Sequence, residues 1–141
     1  DAAAHLACQS AQGRSYAVLE SGFDEIHPPE NMPVAIDVAQ NGGLISEYAP
    51  DIRFGENNYR SANRLIAGLA QAVVVTELYK SSIRTLDLLL CCSQIGKLAF
   101  VIVDPTTGAH ADKDSLNKAV SYGAIPLVGL DKISDIIKSL V

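Results

Sequence analysis

Residues 57–77, NNYRSANRLIAGLAQAVVVTE, contain the change of pattern that decides the fold. The first part places apolar residues at helical spacing behind a polar start, which predicts an amphipathic helix over about residues 60–71. The last part, AVVVTE at 72–77, is a continuous apolar run rich in valine. Such a run, buried on both faces, is typical of a central strand in a parallel sheet.

The same alternation of helix and strand extends along the rest of the chain. Further strands are predicted at 15–20, 44–48, 98–104 and 124–129, and further helices at 2–11, 32–40, 82–96, 115–122 and 131–140, with the first helix ending at Gly13. Strands that alternate with helices predict an α/β fold with right-handed crossovers and a mostly parallel sheet. The 141 residues suit a single domain, 1–141, with a real hydrophobic core.

Composition excludes several classes of protein. The chain is 48% hydrophobic and 19% charged, which predicts a globular protein. No apolar run approaches the roughly 20 residues that cross a bilayer, so no membrane association is expected. The cysteines, Cys8, Cys91 and Cys92, are interpreted as core thiols in a reducing cytoplasm. The three histidines lie far apart in the sequence, so no metal site is expected.

The charge is unevenly distributed along the chain. With 11 basic and 16 acidic residues the net charge is −5, which argues against a generic nucleic-acid binder. From Arg53 to Arg84, however, five basic residues face only Glu56 and Glu77, which gives a local balance of +3. A local anion-binding surface is therefore compatible with the sequence.

Ligands of open α/β sheets bind at the carboxyl ends of the strands. These ends are predicted at Gly22–Asp24, Glu47–Tyr48, Glu77 and Asp104. The helices that follow begin near a second set of polar residues: Arg60, Asn63, Arg64, Ser81 and Ser82. Because free N–H groups and the helix dipole attract anions, this edge of the sheet is the predicted binding site.

The first predicted element is a helix, whereas doubly wound nucleotide sites usually have a strand and a Gly-rich loop before the first helix. We therefore expect such a strand and loop to precede Asp1. Without that strand, the sheet is expected to expose an unpaired edge or apolar surface that favours dimerisation.

Four segments together carry a family resemblance. DAAAH (1–5), GRSYAVLESGFDEIHPPEN (13–31), GGLISEYAP (42–50) and NRLIAGLAQAVVVTE (63–77) resemble, in order and spacing, the DNA-processing protein A (DprA/Smf) family. The segment 114–137 looks like the end of the same domain. The resemblance implies a Rossmann-like three-layer fold and a dimer that is not an enzyme. It also implies binding of single-stranded DNA and loading of a RecA-type recombinase in natural transformation.

The resemblance also implies roles for particular residues. Arg64 and Asn63 match the family and would hold phosphates. Arg60 does not match the family, but it lies one turn before Arg64 on the same helix face, and with Lys80 and Arg84 it would widen a positive groove. Gly22, Asp24, Glu47, Tyr48 and Ser81 are further candidates at the strand ends. Two departures weaken the DNA cradle: Ser61 and Ala62 replace family arginines, and SSIRT (81–85) lacks the glycine of the family's Ser-Gly-Ala segment.

Several alternatives remain open at this stage. Arg64 could pair with Glu47, Asn63 could be a cap or a loop tether, and Gly22 with Asp24 could serve turn geometry. Tyr48 could stack on a base or cover the core edge. The whole chain could instead be a nucleotide-binding sensor of the Smf/DprA–LOG superfamily, or a dimerisation module that has lost its ligand.

Catalysis has no support in the sequence. There is no Gly-x-Ser-x-Gly elbow, no Walker loop and no nucleophile beside an evident base. The cytokinin-activating phosphoribohydrolases share a similar fold, but their Pro-Gly-Gly-x-Gly-Thr loop is absent here. Neither enzyme activity nor a cofactor is expected.

Overall fold

The computed structural model describes residues 1–103, 111–129 and 131–140. Its helices are α1 (Ala2–Ser10), α2 (Met32–Asn41), α3 (Tyr59–Leu69), α4 (Ile83–Gln94), α5 (Lys113–Ser121) and α6 (Asp131–Leu140). Its strands are β1 (Tyr16–Val18), β2 (Gly43–Ile45), β3 (Ala72–Val75), β4 (Leu98–Ile102) and β5 (Ile125–Leu127). All neighbouring strands run parallel, which confirms the predicted α/β class.

The chain divides into two compact units, Asp1–Ala62 and Asn63–Val141. In the first unit β1 pairs with β2, and α2 packs against both strands and against α1. Ala35 and Val38 form the buried face of α2, and Ile26 is buried in the loop before a short 3-10 helix at Pro29–Asn31. This small sheet places the ends of β1 and β2 side by side.

The second unit contains a three-stranded sheet in the order β3-β4-β5. Strand β4 is its centre, and Ala99, Phe100, Val101 and Ile102 are all buried. Leu89 and Cys92 of α4 and Ala119 of α5 join the same core. The core of the sheet therefore includes residues of α4 and α5, the helices that follow β3 and β4 in the chain.

The valine run of β3 differs from its prediction in one respect. Val73 and Val75 are buried, but Val74 is 39% exposed, so the run is not buried on both faces along its length. Among the described residues of the second unit, β3 lies at the edge of the sheet and pairs with β4. Continuous apolar character indicated a strand correctly, but it did not distinguish the edge from the centre.

Element ends also differ from the sequence predictions. Helix α1 ends at Ser10, and the residue with positive φ is Gln12 (φ 56°) rather than Gly13. The strands are shorter than predicted because Glu20, Glu47, Thr76 and Glu77 lie in loops after them. Asp104, predicted at a strand end, lies outside the described residues. Among the described residues, no helix is long and apolar enough to cross a membrane.

Candidate nucleic-acid interface

Asn63 links α3 to the start of α4. Its side-chain amide nitrogen donates to the backbone carbonyl of Arg84 at 2.8 Å and to Oδ2 of Asp87 at 2.9 Å. Asn63 is 7% exposed, and these two bonds use both hydrogens of its amide. The sequence left open whether Asn63 is a phosphate ligand or a structural tether, and this geometry favours the tether.

The N-terminus of α4 has neither a side-chain cap nor an acidic residue in its first turn. Arg84 occupies this first turn, where a cation faces the positive end of the helix dipole. The contrast with α5 is direct: Asp112 caps α5 by accepting from the Ser115 amide at 3.0 Å, and Asp114 lies in its first turn. The start of α4 therefore combines the positive end of the helix dipole with the charge of Arg84, and both favour an anion.

The loop before α4 is fixed at several points. Leu78 is fully buried, and its carbonyl accepts from the Asp112 amide at 2.7 Å. The Tyr79 amide donates to the Ser82 hydroxyl at 2.9 Å, and the Tyr79 carbonyl accepts from the Ser115 hydroxyl at 3.3 Å. Lys80 and Ser81 are exposed between these anchors. The loop thus presents them on an ordered backbone.

Tyr79 presents an aromatic ring from this loop. The ring is 45% exposed. A side-chain hydrogen bond with Glu77, with smaller contributions from desolvation and from the Glu77 charge, raises the pKa of the Tyr79 phenol. Because the hydroxyl and the backbone are both held, the ring has a defined position from which it could stack on a base.

Arg64 follows Asn63 on α3 and is exposed. Its charge acts on the Cys91 thiol of α4: burial chiefly raises the pKa of Cys91, Asp87 raises it further, and Arg64 lowers it. Arg64 therefore lies close enough to α4 for its charge to act on Cys91. We call Arg64, Lys80 and Arg84 the cationic surface of the second unit.

Gly22 lies in the first unit and is buried among backbone atoms. A Cβ added at Gly22 would lie 2.1 Å from the Ala49 carbonyl oxygen, a distance that no side chain tolerates. The Gly22 amide donates to the Ile52 carbonyl at 2.7 Å, and the Asp24 amide to the Pro50 carbonyl at 3.0 Å. This close approach of two loops accounts for the glycine without a ligand.

Other candidates in the first unit also belong to a hydrogen-bonded loop network. The Ser46 hydroxyl donates to the Ser21 carbonyl at 2.6 Å and accepts from the Tyr48 amide at 3.0 Å. Asn58 donates to the Glu20 carbonyl at 2.8 Å. Tyr48 is half-buried, whereas Asp24 and Glu47 are exposed. Carboxylates at these positions repel phosphate, so this loop cluster is less suited to DNA than the start of α4.

The two units differ strongly in charge. The first unit contains nine acidic residues and only three basic ones, Arg14, Arg53 and Arg60, for a net charge of −6. The second contains seven acidic and eight basic residues, for a net charge of +1. A polyanion is therefore attracted to the second unit more than to the first.

Arg60 lies in the first turn of α3, one turn before Arg64, and its guanidinium is 5.9 Å from the centre of the Tyr59 ring.

Sequence reasoning missed two residues of the interface, Asp87 and Tyr79. Asp87 is the only acid in the apolar helix α4, and a lone carboxylate in such a helix is a usable signal of a buried polar contact. Nothing in the local sequence distinguished Tyr79 from the other tyrosines.

Comparison with known protein families shows which family this chain belongs to. Residues 1–139 match the family described as DNA recombination-mediator protein A. The chain belongs to this family. The resemblance of its motifs to the DprA/Smf proteins is thereby confirmed. Recombination-mediator protein A relatives include the protein Smf of Synechocystis sp., which is 42% identical over 77 residues that cover 55% of this chain and 19% of that protein.

Two solved structures show the same fold. DNA processing protein A from Streptococcus pneumoniae aligns with a TM-score of 0.71 at 27% identity, over 90% of this chain and 44% of that chain. A structure of DNA processing protein A from Helicobacter pylori, described as giving insight into its unique single-stranded DNA binding mode, aligns with a TM-score of 0.71. It is 21% identical and covers 88% of this chain and 56% of that chain. The chain spans between about a fifth and a third of the length of the curated relatives it matches.

Proposed function

We propose that this member of the recombination-mediator protein A family binds single-stranded DNA through its cationic surface. In this proposal it acts in the cytoplasm in DNA uptake and recombination, as a homodimer that helps to load a RecA-type recombinase. The observation that carries the binding step is the start of α4, which has no side-chain cap and no acidic residue in its first turn, and which Asn63 holds to α3. The family's DNA-processing role and the Helicobacter pylori relative agree with this proposal.

The proposal gives the interface residues different tasks. Arg64, Lys80 and Arg84 contact phosphates, and the exposed Ser81 adds a hydroxyl donor. Asn63 positions Arg84 relative to α3 and does not itself hold a phosphate, because both hydrogens of its amide are donated inside the protein. Tyr79 supplies a stacking face, which every base can use. Binding is therefore expected to be indifferent to base order.

The salt dependence of binding tests this proposal. Each phosphate contact to a single strand contributes a slope of about −0.7 to the plot of log affinity against log salt. Three cationic contacts thus predict a slope of about −2 for a thymidine 20-mer. Fluorescence anisotropy between roughly 50 and 200 mM salt measures this slope.

Two other results would contradict the proposal. Absence of oligonucleotide binding at the lowest salt would remove the DNA surface. Binding of a mononucleotide as tightly as the 20-mer, with a slope near zero, would favour the nucleotide-sensor alternative.

We further propose that the chain has no hydrolase activity on nucleoside monophosphates. No group of three metal-binding side chains occurs among the described residues, and the sequence has no catalytic loop of the phosphoribohydrolase type. Incubation with adenosine monophosphate and chromatography of the products should show no free adenine. Release of the base at enzymatic rates would overturn this part of the proposal.

A further inference from the structure

An open, polar cavity of about 510 Å³ lies at the surface of the first unit, at the amino ends of β1 and β2, and its lining side chains are exposed. Its side-chain lining consists of Gln9, Gln12, Arg14, Tyr16, Gln40 and Asn41, and glycines complete the wall. The volume falls within the roughly 300–1,000 Å³ typical of small-molecule sites. None of these lining residues belongs to the cationic surface.

The polar groups of this cavity are available for a ligand. Within the described parts of the chain, no side-chain hydrogen bond or ion pair engages Gln9, Gln12, Arg14 or Gln40. Asn41 donates to the Asp37 carbonyl at 3.2 Å, which leaves its side-chain oxygen as an acceptor. The cavity therefore offers amide donors, amide acceptors and one guanidinium.

The ring of Tyr16 has a defined position at the cavity. Tyr16 is the register partner of Gly43, and a Cβ added at Gly43 would lie 3.2 Å from the ring. Because Gly43 has no side chain, one part of the Tyr16 ring lies against the backbone of β2. The ring is nevertheless 59% exposed, so it retains a surface for stacking.

The chemistry of the lining excludes several ligand classes. An aliphatic ligand has no aliphatic side chain to contact, and a metal cation has no carboxylate, thiolate or imidazole among the lining residues. A bare anion is also disfavoured. The C-terminal ends of α1 and α2 lie at the cavity, and each places about half a negative charge there, which offsets the charge of Arg14.

We propose that this cavity binds a guanine base, which is uncharged, planar and rich in edge donors and acceptors. Arg14 would donate both bonds of its fork to O6 and N7, the commonest pairing of arginine with guanine. The amide oxygens of Gln9, Gln12 or Gln40 would accept from the N1–H and the amino group of guanine. Tyr16 would stack on the ring. The inference does not depend on the DNA-binding proposal, because a free nucleoside and a base in a strand share this chemistry.

The test is a titration of the isotope-labelled 141-residue chain with uncharged 2′-deoxyguanosine, followed by backbone amide NMR signals. The expected result is saturable shifts at residues 9–16 and 40–43, weaker shifts with 2′-deoxyadenosine, and none with inorganic phosphate. Arg14→Gln and Tyr16→Ala should each weaken binding at least tenfold. Arg53→Gln, a change of the same kind at an exposed arginine outside the cavity, should leave binding unchanged.

Three outcomes would overturn the proposal: no shifts at millimolar 2′-deoxyguanosine, equal binding of phosphate alone, or full affinity in Arg14→Gln. Circular dichroism of each variant checks its folding, and Tyr16→Phe, which keeps the ring, should retain binding. A thymidine 20-mer with one central guanine shows whether the guanine that binds is a base in a DNA strand or a free nucleoside. Tighter binding than the plain 20-mer indicates a base in a strand, and equal binding indicates a free nucleoside. Arg64→Ala should weaken binding of both 20-mers and leave binding of 2′-deoxyguanosine unchanged, so failure of either proposal is distinguishable.

Discussion

At the scale of single residues, Asn63 and Arg64 are neighbours with opposite tasks. Asn63 is buried and bonded to α4, whereas Arg64 is exposed on the same helix. Successive residues of a helix point about 100° apart, so one turns toward the core and the next toward solvent. The two substitutions below are expected to separate affinity from stability.

Arg64→Ala should weaken binding of a thymidine 20-mer about 10- to 100-fold, because a charge-assisted contact is worth roughly 1.5–3 kcal/mol. The melting temperature should stay nearly unchanged, and Arg60→Ala should have a smaller effect on affinity. Lys118→Ala, at an exposed lysine in the last turn of α5, is the matched control for loss of one charge. Unchanged affinity together with a large fall in melting temperature would make Arg64 a structural residue.

Asn63→Ala should lower the free energy of unfolding by roughly 1–3 kcal/mol, because it removes the two hydrogen bonds by which the Asn63 amide joins α3 to the Asp87 carboxylate and the Arg84 carbonyl. Urea unfolding measures this loss. Asn117→Ala, at an exposed asparagine of α5, should change stability little. If Asn63→Ala kept full stability yet abolished DNA binding, Asn63 would be a ligand residue and the tether interpretation would be wrong.

At the scale of elements, a glycine in a loop and a glycine in a helix affect the stability of the fold differently. Gly22 permits the contact between the loop after β1 and the segment 49–52. Gly68 lies near the end of α3, and a Cβ added there would meet nothing within 4 Å. The same substitution should therefore change stability in opposite directions.

Gly22→Ala should destabilise the chain by roughly 1–3 kcal/mol or more, since the new methyl group forces two backbone segments apart. Gly68→Ala should stabilise it by up to about 1 kcal/mol, because alanine favours the helix and loses less conformational entropy. Thermal unfolding of both variants measures the pair. A neutral Gly22→Ala would show that the loops can separate without cost.

At the scale of the whole molecule, surface chemistry is unevenly distributed. All of the excess negative charge belongs to the first unit, whereas large apolar side chains are exposed in both. In α6, for example, Ile137 is 57% exposed while Ile133 is half-buried. Exposed apolar side chains of this kind favour self-association.

The proposed homodimer predicts a mass about twice 15.0 kDa at micromolar concentration, falling toward the monomer on dilution. Light scattering after size-exclusion chromatography measures it. Ile137→Asp should shift the equilibrium toward monomer, because it places a charge on an apolar surface. Ser134→Asp, on an exposed position of the same helix, is the control. A constant monomeric mass over a wide concentration range would reject self-association.

Sequence reasoning predicted the elements well where a physical pattern is local. The valine run of β3, the apolar run of β4 and the periodic helices between them all form, because burial of apolar residues at a fixed period depends on neighbours in the chain. The family motifs were equally readable, since they occur in contiguous segments. Strand ends were less accurate, because Glu20 and Glu47 leave the strands to join loop contacts that the sequence does not display.

Only the tertiary structure decided which polar residues meet. Asn63 and Asp87 lie 24 positions apart, and their hydrogen bond depends on how α3 packs on α4. The cavity around Arg14 similarly combines residues 9–16 with residues 40–42, which meet because β1 and β2 pair in parallel. The sequence by itself therefore determined the α/β class, the order of elements and the family. Packing determined which side chains are tethers and which face solvent, because burial depends on contacts between residues distant in the chain.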